Sequence, residues 1–273
     1  MLANDNLITW IASYPKSGNT WIRALITAYA NEGEVEINSI MQTGDKDDAY
    51  YEGLIQSPIK DWTITEQAMI KPVAMMRMLE DAAGNMLLKT HDANLSLSGV
   101  EQIPPYLTRS AIHIVRDPRD IVLSFMNHYN LGSVDATINL LLDDDTLSRA
   151  PDQGLFVPQL SWRLHTESWM REAMYPIHRV RYEDLLTQPF DCFKEIIQFI
   201  GMDFNADLLR KSIQATKFDR LQKQEETSGF REGVGQKFFH KGKSNRWKTE
   251  LSNEHQQRIV EACEVEMKAL SYL

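Results

Sequence analysis

Cysteine is scarce in these 273 residues, present only as Cys192 and Cys263. The two are far apart and lack metal-ligand spacing, so a disulfide framework or a thiolate zinc site is excluded and two reduced, structural thiols are expected. Long apolar runs are missing too, since no stretch approaches the roughly 18 residues of a membrane-crossing helix. The opening Met-Leu-Ala-Asn-Asp-Asn is polar and acidic where an export signal is basic and then apolar. A soluble, unexported, cytoplasmic chain with no membrane span is the expectation. Positive charge is in deficit, with 29 Lys and Arg against 38 Asp and Glu and a net charge of −9. A protein that holds nucleic acid or a polyanionic polysaccharide through many basic contacts would show the opposite balance. Internal repeats, low-complexity tracts, domain linkers and recognisable metal-ligand clusters are absent as well. What is there, 43% hydrophobic and 25% charged residues, suffices for one sizeable core, and a single globular domain over 1–273 is expected.

The stretch around which the chain is organised runs from Leu7 to Ala30. Leu-Ile-Thr-Trp-Ile-Ala-Ser has the pattern of a strand, Tyr-Pro-Lys-Ser-Gly-Asn-Thr that of a tight loop, and an apolar-periodic helix begins near Thr20. A strand feeding a loop and then a helix aims unpaired N–H groups and the helix dipole at one spot, which suits phosphate or sulfate. The Walker pattern G-x-x-x-x-G-K-[ST] is nearly present but altered where its chemistry lies. Asn19 stands in the lysine position after Gly18, Thr20 keeps the Ser/Thr position, and the lysine has moved to Lys16. A nucleotide triphosphatase needs that lysine after the glycine, and Mg²⁺ besides. A loop lysine without a carboxylate for a metal suits a leaving group of lower charge.

Further on, Asn85-Met-Leu-Leu-Lys-Thr-His91 is an apolar run that delivers Lys89 and His91 to its C-terminal end, the edge at which parallel sheets bind ligands. Of seven histidines, His113 and His178 lie in strand patterns and His128, His165 and His255 on helical ones, where structural roles are expected. A second strand, Ala111–Val115, meets Arg116-Asp-Pro-Arg-Asp120, with Pro118 placed to open a helix to about Tyr129. Arg116 offers planar donors to a phosphate, whereas Arg119 suits a capping ion pair with Asp117 or Asp120. A third strand, Ile177–Arg181, leads into Tyr182-Glu-Asp-Leu-Leu186. Helices are expected at Ser161–Met174, Pro189–Ile200, Asn205–Thr216 and Asn253 to about Leu270. Met69, Val73, Met75, Met76 and Leu79 at helical spacing are expected in the core. Asn130–Pro158 is expected to be the least regular part, with a lid and a solvated connection as its alternatives, and Gln222–Lys248 a long polar loop.

Ser13-Tyr-Pro-Lys-Ser-Gly-Asn-Thr-Trp-Ile-Arg23, Lys89-Thr90-His91, Arg116 with Ser124, Arg181-Tyr-Glu-Asp-Leu and Phe239-His-Lys-Gly-Lys-Ser-Asn-Arg-Trp-Lys248 together resemble, in order, the sulfotransferases that use 3′-phosphoadenylyl sulfate (PAPS). The resemblance implies an α/β fold with a central, mostly parallel sheet flanked by helices, PAPS as sulfuryl donor, PAP as product and no metal. It implies His91 as general base, with Lys16 and Lys89 beside it in catalysis. Imidazole suits that task because its ordinary pKa lies near working pH. Lys16, Ser17, Gly18, Asn19 and Thr20 would bind the 5′ end, and Trp21, Tyr182 and Phe218 the adenine. Arg116, Ser124, His240, Lys241 and Gly242 would hold the 3′-phosphate, with the segment 222–248 closing over the nucleotide. His240 replaces the family's arginine, Arg246 a common aspartate and Asn19 a common threonine. Residues 31–81 and 130–160 would face the acceptor, a small or amphipathic hydroxylated molecule, without nucleic acid. The dimerisation signature of animal cytosolic members is not reproduced around Gln257–Glu266, which leaves the oligomeric state open, a homodimer included. A Mg-ATP-dependent small-molecule kinase and a non-catalytic PAP-binding module are the alternatives from other classes.

Overall fold

Four runs rich in apolar residues form one sheet in the computed structural model, which describes residues 6–41, 44–129, 131–149, 154–233 and 237–273. They are β1 (Ile8–Ser13), β2 (Met86–Thr90), β5 (Thr108–Val115) and β8 (Ile177–Arg181), hydrogen-bonded in the order β2-β1-β5-β8. The sheet is parallel and flanked by helices. Its β1–β2 register runs from Ile8 opposite Met86 to Ala12 opposite Thr90. All six residues of β1 are buried, which is why its sequence is nearly continuously apolar rather than alternating. Between these strands lie two short hairpins, β3 (Ser96–Leu97) with β4 (Val100–Glu101) and β6 (Leu147–Arg149) with β7 (Phe156–Pro158).

The helices are α1 (Asn19–Ala30), α2 (Ile64–Asp81), α3 (Pro118–His128), α4 (Val134–Leu142), α5 (Trp162–Met170), α6 (Tyr182–Thr187), α7 (Pro189–Phe199), α8 (Ala206–Ala215), α9 (Phe218–Ser228), α10 (Trp247–Glu250) and α11 (Asn253–Ala269). Their starts follow from local chemistry. Thr63 and Glu66 form a reciprocal capping box ahead of α2. Pro118 and Pro189 open α3 and α7, where a missing N–H costs nothing. Pro72 lies inside α2, and the Ala68 carbonyl four residues before it accepts from the Gln102 side chain at 3.5 Å.

Contacts divide the chain into two compact units, Met1–Tyr14, Thr43–His113 and Asp143–Arg179 in one and Pro15–Gln42, Ile114–Leu142 and Val180–Leu273 in the other. The first is built on Trp10, Tyr51, Trp62, Met75, Met78 and Trp169, all essentially buried. The second includes a cluster of Ala24, Ala28, Val35, Leu221, Phe230 and Phe239.

The structure departs from the sequence expectations at four places. Asn130–Pro158 is more regular than expected, because Ile138 and Leu141 bury one face of α4 and because β6 and β7 pair; residues 130 and 150–153 lie outside the described set. The polar run after Phe218 is helical as far as Ser228, since burial of Leu221 alone leaves little periodic signal; residues 234–236 of the segment 222–248 also lie outside the description. The helix expected to reach Met174 ends at Met170, with Arg171 extended. Met69, expected in the core, is 59% exposed while Met75 and Met78 are buried. Both cysteines are free thiols, and no helix among the described residues is long and apolar enough to cross a membrane.

Candidate nucleotide and acceptor sites

The loop after β1 uses two left-handed backbone positions, Lys16 at φ 67° and Gly18 at φ 106°. Glycine is required at 18 for a second reason, since a Cβ there would stand 2.7 Å from Cδ2 of Tyr182. Helix α1 then begins without a side-chain cap and without an acidic residue in its first turn. The terminal N–H groups of α1 are thus left without a cap from their own segment, as an anion site requires. Arg116 reaches the loop from the end of β5, its Nη1 donating to the Lys16 carbonyl at 2.9 Å. Its Nη2 donates to the Lys243 carbonyl at 3.1 Å, and its guanidinium lies 4.3 Å over the Tyr182 ring. Trp21 stands edge-on to Tyr182 and to Phe193, at 6.1 Å and 5.5 Å.

Three donors in this cluster are buried without a partner among the described residues: Ser17 Oγ, Trp21 Nε1 and Arg116 Nε. Buried donors are rarely left unsatisfied, and these belong to residues that the resemblance places at the 5′ end (Ser17), the adenine (Trp21) and the 3′-phosphate (Arg116), which fits a bound nucleotide. The remaining members of the predicted nucleotide-binding set lie in the same unit. Ser124 is half-buried on α3, and Phe218 begins α9. Gly242, at φ 57°, approaches Phe218 so closely that a Cβ would collide with its ring. His240 is held below its ordinary pKa by partial desolvation and by the positive charges of Arg246 and Lys241.

Two predicted contacts have competitors that sequence reasoning missed. Lys241 is engaged by Glu250 at 3.1 Å, and Arg246 by the same carboxylate at 2.8 Å; the Arg246 hydrogen bonds, aided by Lys241, hold Glu250 down to about 2. Glu232 accepts from the Thr20 hydroxyl at 3.3 Å and from buried Arg23 at 2.8 Å. No local pattern announces Glu232, which lies 212 residues from Thr20. Lys16 rests its ammonium 3.8 Å from the centre of the Phe238 ring.

The other unit carries Lys89 and His91 at the end of β2. Nδ1 of His91 lies 2.7 Å from the Ser13 carbonyl oxygen. A carbonyl can only accept, so Nδ1 carries the hydrogen and Nε2 is the basic nitrogen of the neutral ring. Lys89 is half-buried, and its carbonyl accepts from the Asp45 amide at 3.2 Å. On either side of His91, Thr90 and Asp92 enter a buried ionic quartet that the sequence did not reveal. Asp92 Oδ2 receives Lys46 at 2.7 Å and Lys71 at 2.5 Å. Asp45 Oδ2 receives Lys71 at 2.7 Å and Thr90 Oγ1 at 3.0 Å. Burial pushes the Asp45 carboxyl up, but Lys71 and Lys46 outweigh it and hold it well below the usual carboxylate range. Burial and the neighbouring Asp45 charge leave Asp92 raised. Burial opposes the Lys71 charge, yet the two aspartates bring it to about 12. His165, assigned a structural role from sequence, is fully buried against the backbone of His91 and pushed down to about 3 by desolvation.

Among the described residues no three His, Cys, Asp or Glu side chains are grouped to hold a metal ion. A model of the sulfotransferase domain matches residues 8–271. Sulfotransferase 1A1 of Rattus norvegicus is 24% identical over 226 residues, 80% of this chain and 67% of that protein. The fold is similar to that of a mouse sulfotransferase, SULT7A1, complexed with PAP, with a TM-score of 0.64 and 18% identity over 97% of this chain and 84% of that one. It is similar too to a retinol dehydratase in complex with androsterone and inactive cofactor PAP, with a TM-score of 0.61 and 14% identity over 96% and 80% of the two chains. At such identities the structural likeness is one of fold.

Proposed function

Because the chain belongs to the sulfotransferase domain family, we propose that it moves the sulfuryl group of PAPS to a hydroxyl of a small or amphipathic acceptor, giving a sulfate ester and PAP. The observation that carries this reading is the set of buried donors without a partner among the described residues, Ser17 Oγ, Trp21 Nε1 and Arg116 Nε, together with an uncapped start to α1. The nucleotide, when bound, supplies the activated sulfuryl group; everything else is done by the chain. Nε2 of His91 takes the acceptor's proton as the new O–S bond forms, its ring held by the Nδ1 hydrogen bond to Ser13. Lys16, three residues beyond Ser13 in the chain, and the α1 amides stabilise the negative charge left on the departing 5′-phosphate as its S–O bond breaks. They fill the part that a metal plays in nucleotide triphosphatases. Lys89 supports catalysis beside His91. Trp21, Tyr182 and Phe218 hold the adenine, while Arg116, Ser124, His240, Lys241 and Gly242 hold the 3′-phosphate. The androsterone bound by the retinol dehydratase supports an amphipathic, hydroxylated acceptor here. The reading carries with it one catalytic domain and a cytoplasmic location.

Thermal unfolding with PAP, 5′-AMP or Mg-ATP tests the donor directly. A ligand that binds only the folded state adds about 2.7 kcal/mol at a hundredfold excess over its Kd, so PAP is expected to raise the Tm more than either control. Stabilisation by Mg-ATP alone would refute the reading in favour of a kinase.

A further inference from the structure

The closing segment is held at alternate residues by one short stretch of chain. Arg116 Nη2 donates to the carbonyl of Lys243 at 3.1 Å. Asp120, in the first turn of α3 and 1% exposed, accepts from the amide of Asn245 at 2.6 Å and from that of Trp247 at 3.2 Å. Arg119 lays its guanidinium 3.6 Å from the centre of the Trp247 ring. That guanidinium is itself fixed by Asp117 at 2.7 Å and by the Tyr272 carbonyl at 3.0 Å. Residues 243, 245 and 247 are therefore fastened by residues 116, 119 and 120.

We propose that Asp120 is a positioning residue for the nucleotide, whose carboxylate clasps the Asn245 and Trp247 amides and so sets the closing segment for a 3′,5′-bisphosphate rather than a 5′-monophosphate. The inference rests on the reading above, in which Arg116 and residues 240–242 take the 3′-phosphate. The Arg119–Asp117 pair accounts for the capping interaction expected from the sequence, but Asp120 is turned to a different purpose. Neither of its two amide contacts serves α3, the helix that carries it. Both serve the segment that follows Lys241 and Gly242. Asn245 sits at φ 62°, a left-handed position that asparagine tolerates better than other non-glycine residues. The clasp also reaches the phosphate loop. The same Arg116 that binds the Lys243 carbonyl binds the Lys16 carbonyl through Nη1, and its buried Nε has no partner among the described residues. Freeing residues 245 and 247 loosens residue 243 and with it the aim of the Arg116 guanidinium.

The test is the affinity of the full chain for PAP and for 5′-AMP, by calorimetric titration of the wild type, Asp120→Ala, Asp120→Asn and Arg119→Lys. Losing two charge-assisted hydrogen bonds that hold the segment is expected to weaken PAP on the order of tenfold, with 5′-AMP changed far less. Asp120→Asn keeps a carbonyl for one amide and should lie between the wild type and Asp120→Ala. Arg119→Lys loses the planar stack on Trp247 and should shift the PAP/5′-AMP ratio in the same direction. Asp120→Asn and Arg119→Lys keep the question answerable if Asp120→Ala does not fold. An unchanged ratio, or equal weakening of both nucleotides, would overturn the proposal and leave Asp120 as a general support of the fold. A wild type that ignores PAP would remove the sulfotransferase reading and this inference with it, an outcome distinct from a wild type that binds PAP with variants that match it.

Discussion

His91, the proposed base, illustrates how much of such a role lies in the tautomer rather than in the residue's identity. The Ser13 carbonyl, 2.7 Å from Nδ1, chooses the ring nitrogen that holds the hydrogen and thereby the one that accepts a proton. Replacing His91 by alanine should cut turnover on the order of 100 to 10,000-fold, with PAP affinity essentially retained. Steady-state assay beside nucleotide titration checks this, and near-normal turnover would remove the proposed base. Thr20 shows the opposite situation. Its hydroxyl, expected on the nucleotide, is already engaged by Glu232 and Arg23, so the identity of the residue was legible in the sequence and its partners were not.

At the scale of elements, the quartet links the end of β2 to α2 and to the segment bearing Asp45 and Lys46, with every member's side chain at most 8% exposed. Two lysines against two aspartates make the group neutral as a whole, but no member can be removed alone without stranding a charge. Lys71→Met should therefore destabilise the protein by about 3–5 kcal/mol, the usual consequence of leaving a buried charge uncompensated. Pairing it with Asp45→Asn should recover part of that loss. Urea unfolding of the single and double variants measures the coupling, and additive losses would show that the two side chains do not act together. Lys71 gave no sign of this in the sequence, because one lysine among the methionines of an amphipathic helix ordinarily marks its solvent side.

For the whole molecule, two buried histidines should make mild acid destabilising. His113 and His165 are both fully buried, and desolvation holds each below its ordinary pKa, His165 at about 3. The unfolded chain takes up protons near 6.5 that the folded chain refuses, so stability is intact above that value and falls as the pH drops through the interval from about 6.5 to 3. Each such ring adds a slope of up to about 1.4 kcal/mol per pH unit there. His165→Gln should flatten the dependence of unfolding free energy on pH over this interval, and an unchanged slope would show that His165 is protonated as readily in the folded chain as in the unfolded one.

The sequence by itself determined the four strands of the central sheet, the loop after β1, the helix that follows and the family, because these rest on local periodicity, on Pro and Gly positions and on residues adjacent in the chain. It set the positions of Lys16, His91 and Arg116 for the same reason. It did not disclose α9, whose single buried Leu221 leaves no pattern. Nor did it disclose Glu232 on Arg23, the quartet around Asp92 or the clasp of Asp120 on Asn245 and Trp247. Each joins residues between 21 and 209 positions apart, and the energy of a buried charge depends on which groups the fold brings within about 3 Å of it rather than on its neighbours in the chain. Only the tertiary structure decided those pairings.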